Sequence, residues 1–186
     1  MNKTHQTPKR HPLHIGMRTI KTAVAAMICA FLYFLLDRNP TFACIGAIFG
    51  MGGNKHESIR SGGNRLFGTV IGGFIGMWLF GIYAHFYPES SANFHYQPIM
   101  LLLVVIGIIL LILLSQLVNW PGAIQPGGVM LCIILFNTPV DTYIAYSLGR
   151  IWDTAVGVVI AFLINVSLPE ERWKAIKSKI ISTFKK

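Results

Sequence analysis

The sequence predicts an all-α integral membrane protein: six transmembrane helices arranged as an inverted 3+3 repeat, followed by a C-terminal amphipathic helix. Three observations predict it. Of the 186 residues, 53% are apolar and only 12% are charged, and the mean hydropathy is +0.56, a balance typical of membrane chains. The apolar residues gather into six segments separated by polar, proline or glycine residues. The cations fall almost entirely on one side of the implied crossings, and parts of the second half echo the first.

Residues 1–14 read as a basic leader carrying Lys3, Lys9 and Arg10. The run Ala23 to Leu36 has the length of a signal-peptide core, but no convincing small-residue cleavage site follows before Asp37. A first transmembrane helix from about Ile15 to Leu36 is the expected element. The segments from Pro40 to Gly53 and from Gly127 to Val140 are short, and each follows a proline, at Asn39-Pro40 and Gln125-Pro126. A helix needs roughly 20 residues to cross a hydrocarbon core of about 30 Å, so neither crosses comfortably. The segments Leu66 to Phe86, Gln97 to Val118 and Thr142 to Leu168 are long enough. In the tail, residues 169–186, Trp173, Ile176, Ile180 and Phe184 recur at helical spacing with lysines between them. This pattern describes a basic amphipathic helix lying on the inner leaflet, read equally as an anchor of orientation or as a partner-binding element. The chain thus divides into leader, six-helix transmembrane domain over residues 15–168, and interfacial tail.

With six crossings and both termini in the cytoplasm, 14 of the 16 lysines and arginines lie inside, and only Arg38 and Arg150 lie on or near the outer side. That is the asymmetry of the positive-inside rule. The third and sixth segments match at an offset of 85 residues, pairing Arg65 with Arg150, Thr69 with Thr154, and Gly72 with Gly157. Three crossings per half make the halves opposite in orientation, and short Gly/Pro-interrupted segments in corresponding places point to a transport site.

Several function classes are excluded or lack support. The formal charge of +9 flanks apolar runs and forms no solvated patch, so nucleic acid is not an expected partner. Cys29, Cys44 and Cys132 lie in apolar stretches without metal-ligand spacing, which indicates neither a disulfide framework nor a metal site. His56-Glu57 lacks a second histidine at metalloprotease spacing, and no Gly-x-Ser-x-Gly occurs. Neither an enzyme nor a cofactor is expected.

The residues that can carry function are few. Arg65 is expected to begin the third helix, where its charge adds to the positive end of the dipole and can attract an anion; it reads equally as an arginine that snorkels to lipid phosphate. Arg150 falls about 12 Å into a helix starting near Thr142, a depth at which ionisable groups face a bundle interior or an aqueous cavity; the competing readings are a structural ion pair, or a helix starting later at Gly149 that puts Arg150 and Asp153 at the surface. Asp153, three residues on, shares its face and can pair with it. Lys21 is a third cation, either in a pore or snorkelling inward. Gly68, Gly72 and Gly76 make overlapping GxxxG steps that permit close helix packing, with Gly157 in the matching place of the sixth segment. Thr69 and Thr154 are expected to bond back to the preceding turn or across helices.

The runs Asn64-Arg65-Leu66-Phe67-Gly68-Thr69 and Gly149-Arg150-Ile151-Trp152-Asp153-Thr154, together with the first helix containing Lys21, resemble the membrane domain of the fusaric acid resistance and aromatic acid exporter superfamily, and distantly that of plant aluminium-activated malate transporters. The resemblance covers about Ile15 to Leu168. It implies six helices per domain, pairing into a twelve-helix homodimer, and passage of organic anions such as aromatic carboxylates, with Lys21, Arg65 and Arg150 as the cationic pore positions. The sequence is expected to depart from the family pattern in lacking the large cytoplasmic domain common among its members. The reading that results is a multi-pass cell-membrane exporter of organic, aromatic carboxylates, with Asp153 carrying a proton in exchange. A passive anion channel and a non-transporting membrane scaffold are the competing readings.

Overall fold

The computed structural model describes residues 16–86 and 98–168. The expected leader over residues 1–14 and amphipathic tail over residues 169–186 lie outside the described residues. The described elements are all helical: α1 (Met17–Leu35), α2 (Thr41–Gly50), α3 (Lys55–Phe86), α4 (Pro98–Leu117), α5 (Ile124–Asn137) and α6 (Tyr143–Ser167), with single 3-10 turns at Pro121–Ala123 and Val140–Thr142. Four of them, α1, α3, α4 and α6, are long and apolar enough to cross a membrane, whereas α2 and the stretch Pro121–Asn137 are shorter apolar helices.

Contacts order these helices across two opposite faces. Lys21 near the start of α1 bonds Asn165 near the end of α6, and Tyr33 near the end of α1 bonds Asp153, so α1 and α6 run antiparallel. Asn165 also bonds Ser58 near the start of α3, while Phe80 toward its end stacks on Tyr143 at the start of α6, which makes α3 antiparallel to α6. Trp120, just beyond α4, bonds Asn64 in the first third of α3. The face where α1 and α3 begin and α4 and α6 end is called proximal below, and the opposite one distal.

α3 starts 11 residues before the expected Leu66 because its polar first turn is capped. Asn54 Oδ1 accepts the Glu57 amide at 2.8 Å, and the Glu57 carboxylate accepts the Gly53 amide at 2.8 Å, a reciprocal arrangement of the capping-box kind. At 32 residues α3 is about 48 Å long, well beyond a hydrocarbon core of about 30 Å. Arg65 therefore does not begin this helix, as the sequence led us to expect. It lies ten residues inside it, about 15 Å along.

The short helix of each half packs on the long helix of the other. A Cβ on Gly157 of α6 would strike the backbone of Ala43 and Ala47 in α2, and one on Gly46 of α2 would strike the Thr154 carbonyl. Likewise a Cβ on Gly68 or Gly72 of α3 would meet the backbone at the start of α5, around Gly127. Gly76 leaves room for the Ile134 side chain. The glycine stripe of α3 is thus taken up by α5 of the same chain. Bilayer lipid is as apolar as leucine, so helices here are held by close packing and polar contacts rather than by water exclusion.

Two cores result. Ile75, Leu79, Phe80, Leu111, Leu131 and Ile134 fill the space between α3, α4 and α5 with large side chains. Between α1, α2 and α6 the buried residues are mostly small, with Ala25, Cys29, Ala43, Ala47 and Ala161 fully covered. The outside is apolar instead: Phe34, Trp78, Leu117 and Trp152 are all more than 60% exposed, as a lipid-facing surface requires.

Candidate functional site

The buried face of α1 recurs every fourth residue, at Lys21, Ala25, Cys29 and Tyr33, and the facing side of α6 buries Ser147, Asp153, Thr154, Gly157, Ala161 and Asn165. Twelve residues separate Lys21 from Tyr33 and twelve separate Asp153 from Asn165, so each helix sets its two polar groups about 18 Å apart. The result is a proximal and a distal polar station with small residues between them.

At the distal station Asp153 is 1% exposed. Its Oδ1 accepts the Tyr33 hydroxyl at 2.8 Å and Arg38 Nη2 at 3.1 Å, and Arg150 Nη2 stands 3.6 Å from Oδ2. The pairing of Asp153 with Arg150 is therefore an ion pair without a hydrogen bond, and the bonded partners are Tyr33 and Arg38. Burying a carboxylate is expensive unless it is paired and hydrogen-bonded; Tyr33 and Arg38 satisfy Oδ1, while Oδ2 is buried with the Arg150 charge nearby but no hydrogen bond among the described residues. An open groove of about 640 Å³ lies over this station, with Phe31, Tyr33, Phe34 and Arg38 in its lining.

At the proximal station Lys21 is 3% exposed, and its ammonium donates to Asn165 Oδ1 at 2.8 Å. Asn165 Nδ2 in turn donates to Ser58 Oγ at 2.7 Å and to the Asn54 carbonyl at 3.0 Å, while Ser58 Oγ accepts the Gly52 amide at 2.8 Å. Lys21 is consequently a core residue tied to α6 and to the α2–α3 turn, not a side chain snorkelling from the rim. Beside it opens a cavity of about 250 Å³ lined by Arg18, Gly52, Glu57, Arg60, Ser61 and Asn64.

The two motif arginines flank one short helix. The Arg65 guanidinium lies 5.4 Å over the Phe49 ring and that of Arg150 lies 4.4 Å over the Phe42 ring, both rings belonging to α2. Tyr146 adds a second ring beneath Arg150 at 4.8 Å. Such stacking satisfies the flat faces of a guanidinium but not its in-plane donors. The Nε atoms of both arginines are buried without a hydrogen-bond partner among the described residues. Of the two matched threonines, Thr69 bonds back to the Arg65 carbonyl at 2.7 Å as expected. Thr154 does not; its hydroxyl, like that of Ser147 two turns before it, is buried and unpartnered among the described residues.

Reading the sequence alone did not reveal Tyr33, Arg38, Ser58 and Asn165. A signal existed for the first, since Lys21 and Tyr33 stand twelve residues apart on one helix face, three turns in register. The partner of each could not be read from spacing, because it lies more than 100 residues away in sequence.

Buried charges bridged between long apolar helices, with exposed aromatics outside, mark a multi-pass membrane protein. The family described as "Aromatic acid exporter family member 1" matches residues 13–168. The chain belongs to that family, a family of membrane transport by its description. Among similar proteins, a UPF0421 protein of Staphylococcus aureus (strain USA300) is 30% identical over 173 residues, 91% of this chain and 48% of the relative. One from Staphylococcus haemolyticus is 26% identical over 167 residues, 89% of this chain and 46% of the relative. A third, from Staphylococcus saprophyticus, is 35% identical over 83 residues, 43% of this chain and 25% of the relative. The chain spans about half the length, or less, of these curated relatives. No solved structure matches it.

Proposed function

We propose that the protein exports organic carboxylates, aromatic ones foremost, across the cell membrane, with Lys21, Arg65 and Arg150 as the cations that receive the anion. The observation that carries this reading is the pair of arginines, Arg65 of α3 and Arg150 of α6, that stack on rings of α2. Each is stacked on a phenylalanine, and each keeps a buried Nε donor without an acceptor among the described residues. A buried unmet donor costs about 1–3 kcal/mol, and a carboxylate is the acceptor whose geometry fits a guanidinium edge. The phenylalanines beside them offer a flat apolar surface to the ring of an aromatic acid.

The finer parts of the reading follow from it. The proximal face is cytoplasmic, so that the cavity with Arg18 and Arg60 is the entry side and the two halves form an inverted repeat. The functional unit is a homodimer, in which exposed Ile48 and Phe49 of α2 meet a second copy, since the glycine stripe of α3 is already used within the chain. Asp153 takes up a proton when the substrate displaces it from its arginines, which couples export to a proton gradient.

The test is flux through the purified chain in liposomes, with benzoate as the probe and a panel of carboxylates beside it. Arg150→Ala should abolish benzoate flux, while Arg150→Lys should retain part of it, because a point charge replaces a planar fork. Normal flux through correctly inserted Arg150→Ala protein would remove Arg150 from the path. Currents without proton movement would favour a passive channel, and no flux from any variant or from the native chain a scaffold.

A further inference from the structure

The two connectors that lead into the short helices, α1 to α2 and α4 to α5, are built alike although their sequences share little. After α1 the amides of Leu36, Asp37 and Arg38 donate to the carbonyls of Leu32, Phe34 and Tyr33; after α4 those of Val118, Asn119 and Trp120 donate to Leu114, Gln116 and Ser115. The pattern of four, three and five residues back is the same in both, and it is that of a Schellman ending. The two non-glycine residues with positive φ among those described occupy the same step of it, Asp37 at 50° and Asn119 at 58°. Asp and Asn are the side chains that tolerate this left-handed conformation best after glycine.

The left-handed residue turns the chain so that the next side chain points back over the bundle, and in both connectors that side chain reaches a long helix of the other half. Arg38 bonds Asp153 of α6 at 3.1 Å. Trp120 Nε1 donates to Asn64 Oδ1 of α3 at 2.7 Å, with its ring 4.8 Å from that of Phe67. Gly122 lies so close to Asn64 that a Cβ there would strike its side chain, which seats the second connector on α3. Because α1 ends on the distal face and α4 on the proximal one, the two contacts close opposite ends of the bundle. Each rests on one side-chain hydrogen bond, and Arg38 is half exposed.

We propose that these connectors are a matched pair of gates, with the Arg38–Asp153 contact closing the distal mouth and the Trp120–Asn64 contact closing the proximal one, released one at a time as an anion passes. The proposal rests on the transport reading above. Their chemistry differs in a useful way. A carboxylate arriving from the bundle can compete with Asp153 for Arg38, so the distal gate responds to the cargo itself. The proximal contact joins two neutral groups, so it yields to movement of the helices and not to charge.

The test uses Cys29, which is fully buried on α1 between the two polar stations, as the sole cysteine in the full chain after Cys44→Ser and Cys132→Ser. The protein is reconstituted in sealed liposomes of known sidedness, and a membrane-impermeant maleimide is added on one side at a time. Arg38→Gln should raise Cys29 labelling from the distal side only, and Trp120→Phe, which keeps a ring against Phe67 but removes the N–H, from the proximal side only. Each rise should be about tenfold, the bias that loss of one hydrogen bond gives an open–closed equilibrium. Arg38→Lys, which keeps a charge on Asp153, should fall between and serves in place of Arg38→Gln if that variant does not fold. Labelling that rises from the same side in both variants, or that stays at the native rate in folded protein, overturns the gates. Benzoate flux in the same vesicles separates the two readings. Sided labelling without flux keeps the gates and overturns transport, whereas flux without sided labelling overturns the gates alone.

Discussion

Asp153 and Asn165 do opposite jobs at the two ends of one helix face. Asp153 gathers two donors, Tyr33 and Arg38, and the Arg150 cation around one buried charge, and removing that charge leaves Arg150 beside it without its counter-ion, a loss of about 3–5 kcal/mol for a buried pair broken on one side. Asp153→Asn keeps an acceptor for Tyr33, so folded protein is expected to bind and exchange substrate but to lose accumulation driven by a pH gradient. Accumulation measured in proteoliposomes decides it: a folded variant that still concentrates benzoate on pH alone places the proton path elsewhere. Asn165 is a splice, its oxygen on the Lys21 ammonium and its nitrogen on Ser58 and the Asn54 carbonyl. Asn165→Ala should destabilise the protein by about 1.5–3 kcal/mol, the range for a lost hydrogen bond to a charged group. Thermal unfolding in detergent checks it. The double variant Lys21→Met/Asn165→Leu should recover only the part of the loss that comes from the Lys21 ammonium, since the Asn54 carbonyl and Ser58 still lose the Asn165 amide.

At the scale of the elements, the glycines decide how near two helices can come. Gly72 lies against the Gly127 backbone and Gly157 against that of Ala43, and backbone cannot rotate out of the way as a side chain can. Gly72→Ala and Gly157→Ala should each destabilise by about 1–3 kcal/mol or more, the cost of overpacking a filled interior. Gly128→Ala is the control: a Cβ there would meet only the tip of Leu111 at 3.9 Å, and the change should be neutral or stabilise by up to about 1 kcal/mol through helix propensity. Unfolding temperatures of the three variants measured side by side check the contrast, and a Gly72→Ala protein as stable as Gly128→Ala would mean that α3 and α5 can separate freely. The start of α3 carries a further element-scale lesson. The Asn54–Glu57 cap was present in the sequence, but an apolar-run reading begins a helix where hydrophobic residues begin and so passes over a polar, capped first turn.

For the whole molecule, orientation is the claim that everything else leans on. Single cysteines at exposed His56 and at Ser91, in an otherwise cysteine-free chain, should react with an impermeant maleimide from the cytoplasmic and outer sides respectively; the reverse would make the distal face the cytoplasmic one. The homodimer is checked by mass in lipid nanodiscs. A dimer is expected, and Phe49→Arg, which puts a charge beside Arg65 on the exposed side of α2, should weaken it. A monomer that transports would remove the dimer as a requirement.

The number and order of the helices among the described residues, and the approximate limits of all but the start of α3, were legible from apolar runs, because the bilayer fixes a crossing length that composition alone can meet or miss. The boundaries Met17–Leu35, Pro98–Leu117 and Tyr143–Ser167 lie within two residues of those expected. The repeated arginine motif, at an offset of 85 residues, marks Arg65 and Arg150 by sequence alone. What spacing could not contain is which distant group meets which: Tyr33 and Arg38 on Asp153, Asn165 on Lys21, Trp120 on Asn64. A helix face shows that a polar residue is turned inward, but its partner is set by how the helices pack, over separations of 56 to 144 residues. The likeness of the two connectors was hidden for the same reason. It resides in backbone hydrogen bonds and two left-handed residues, which Asp-Arg and Asn-Trp satisfy equally well, so only the folded chain makes them equivalent.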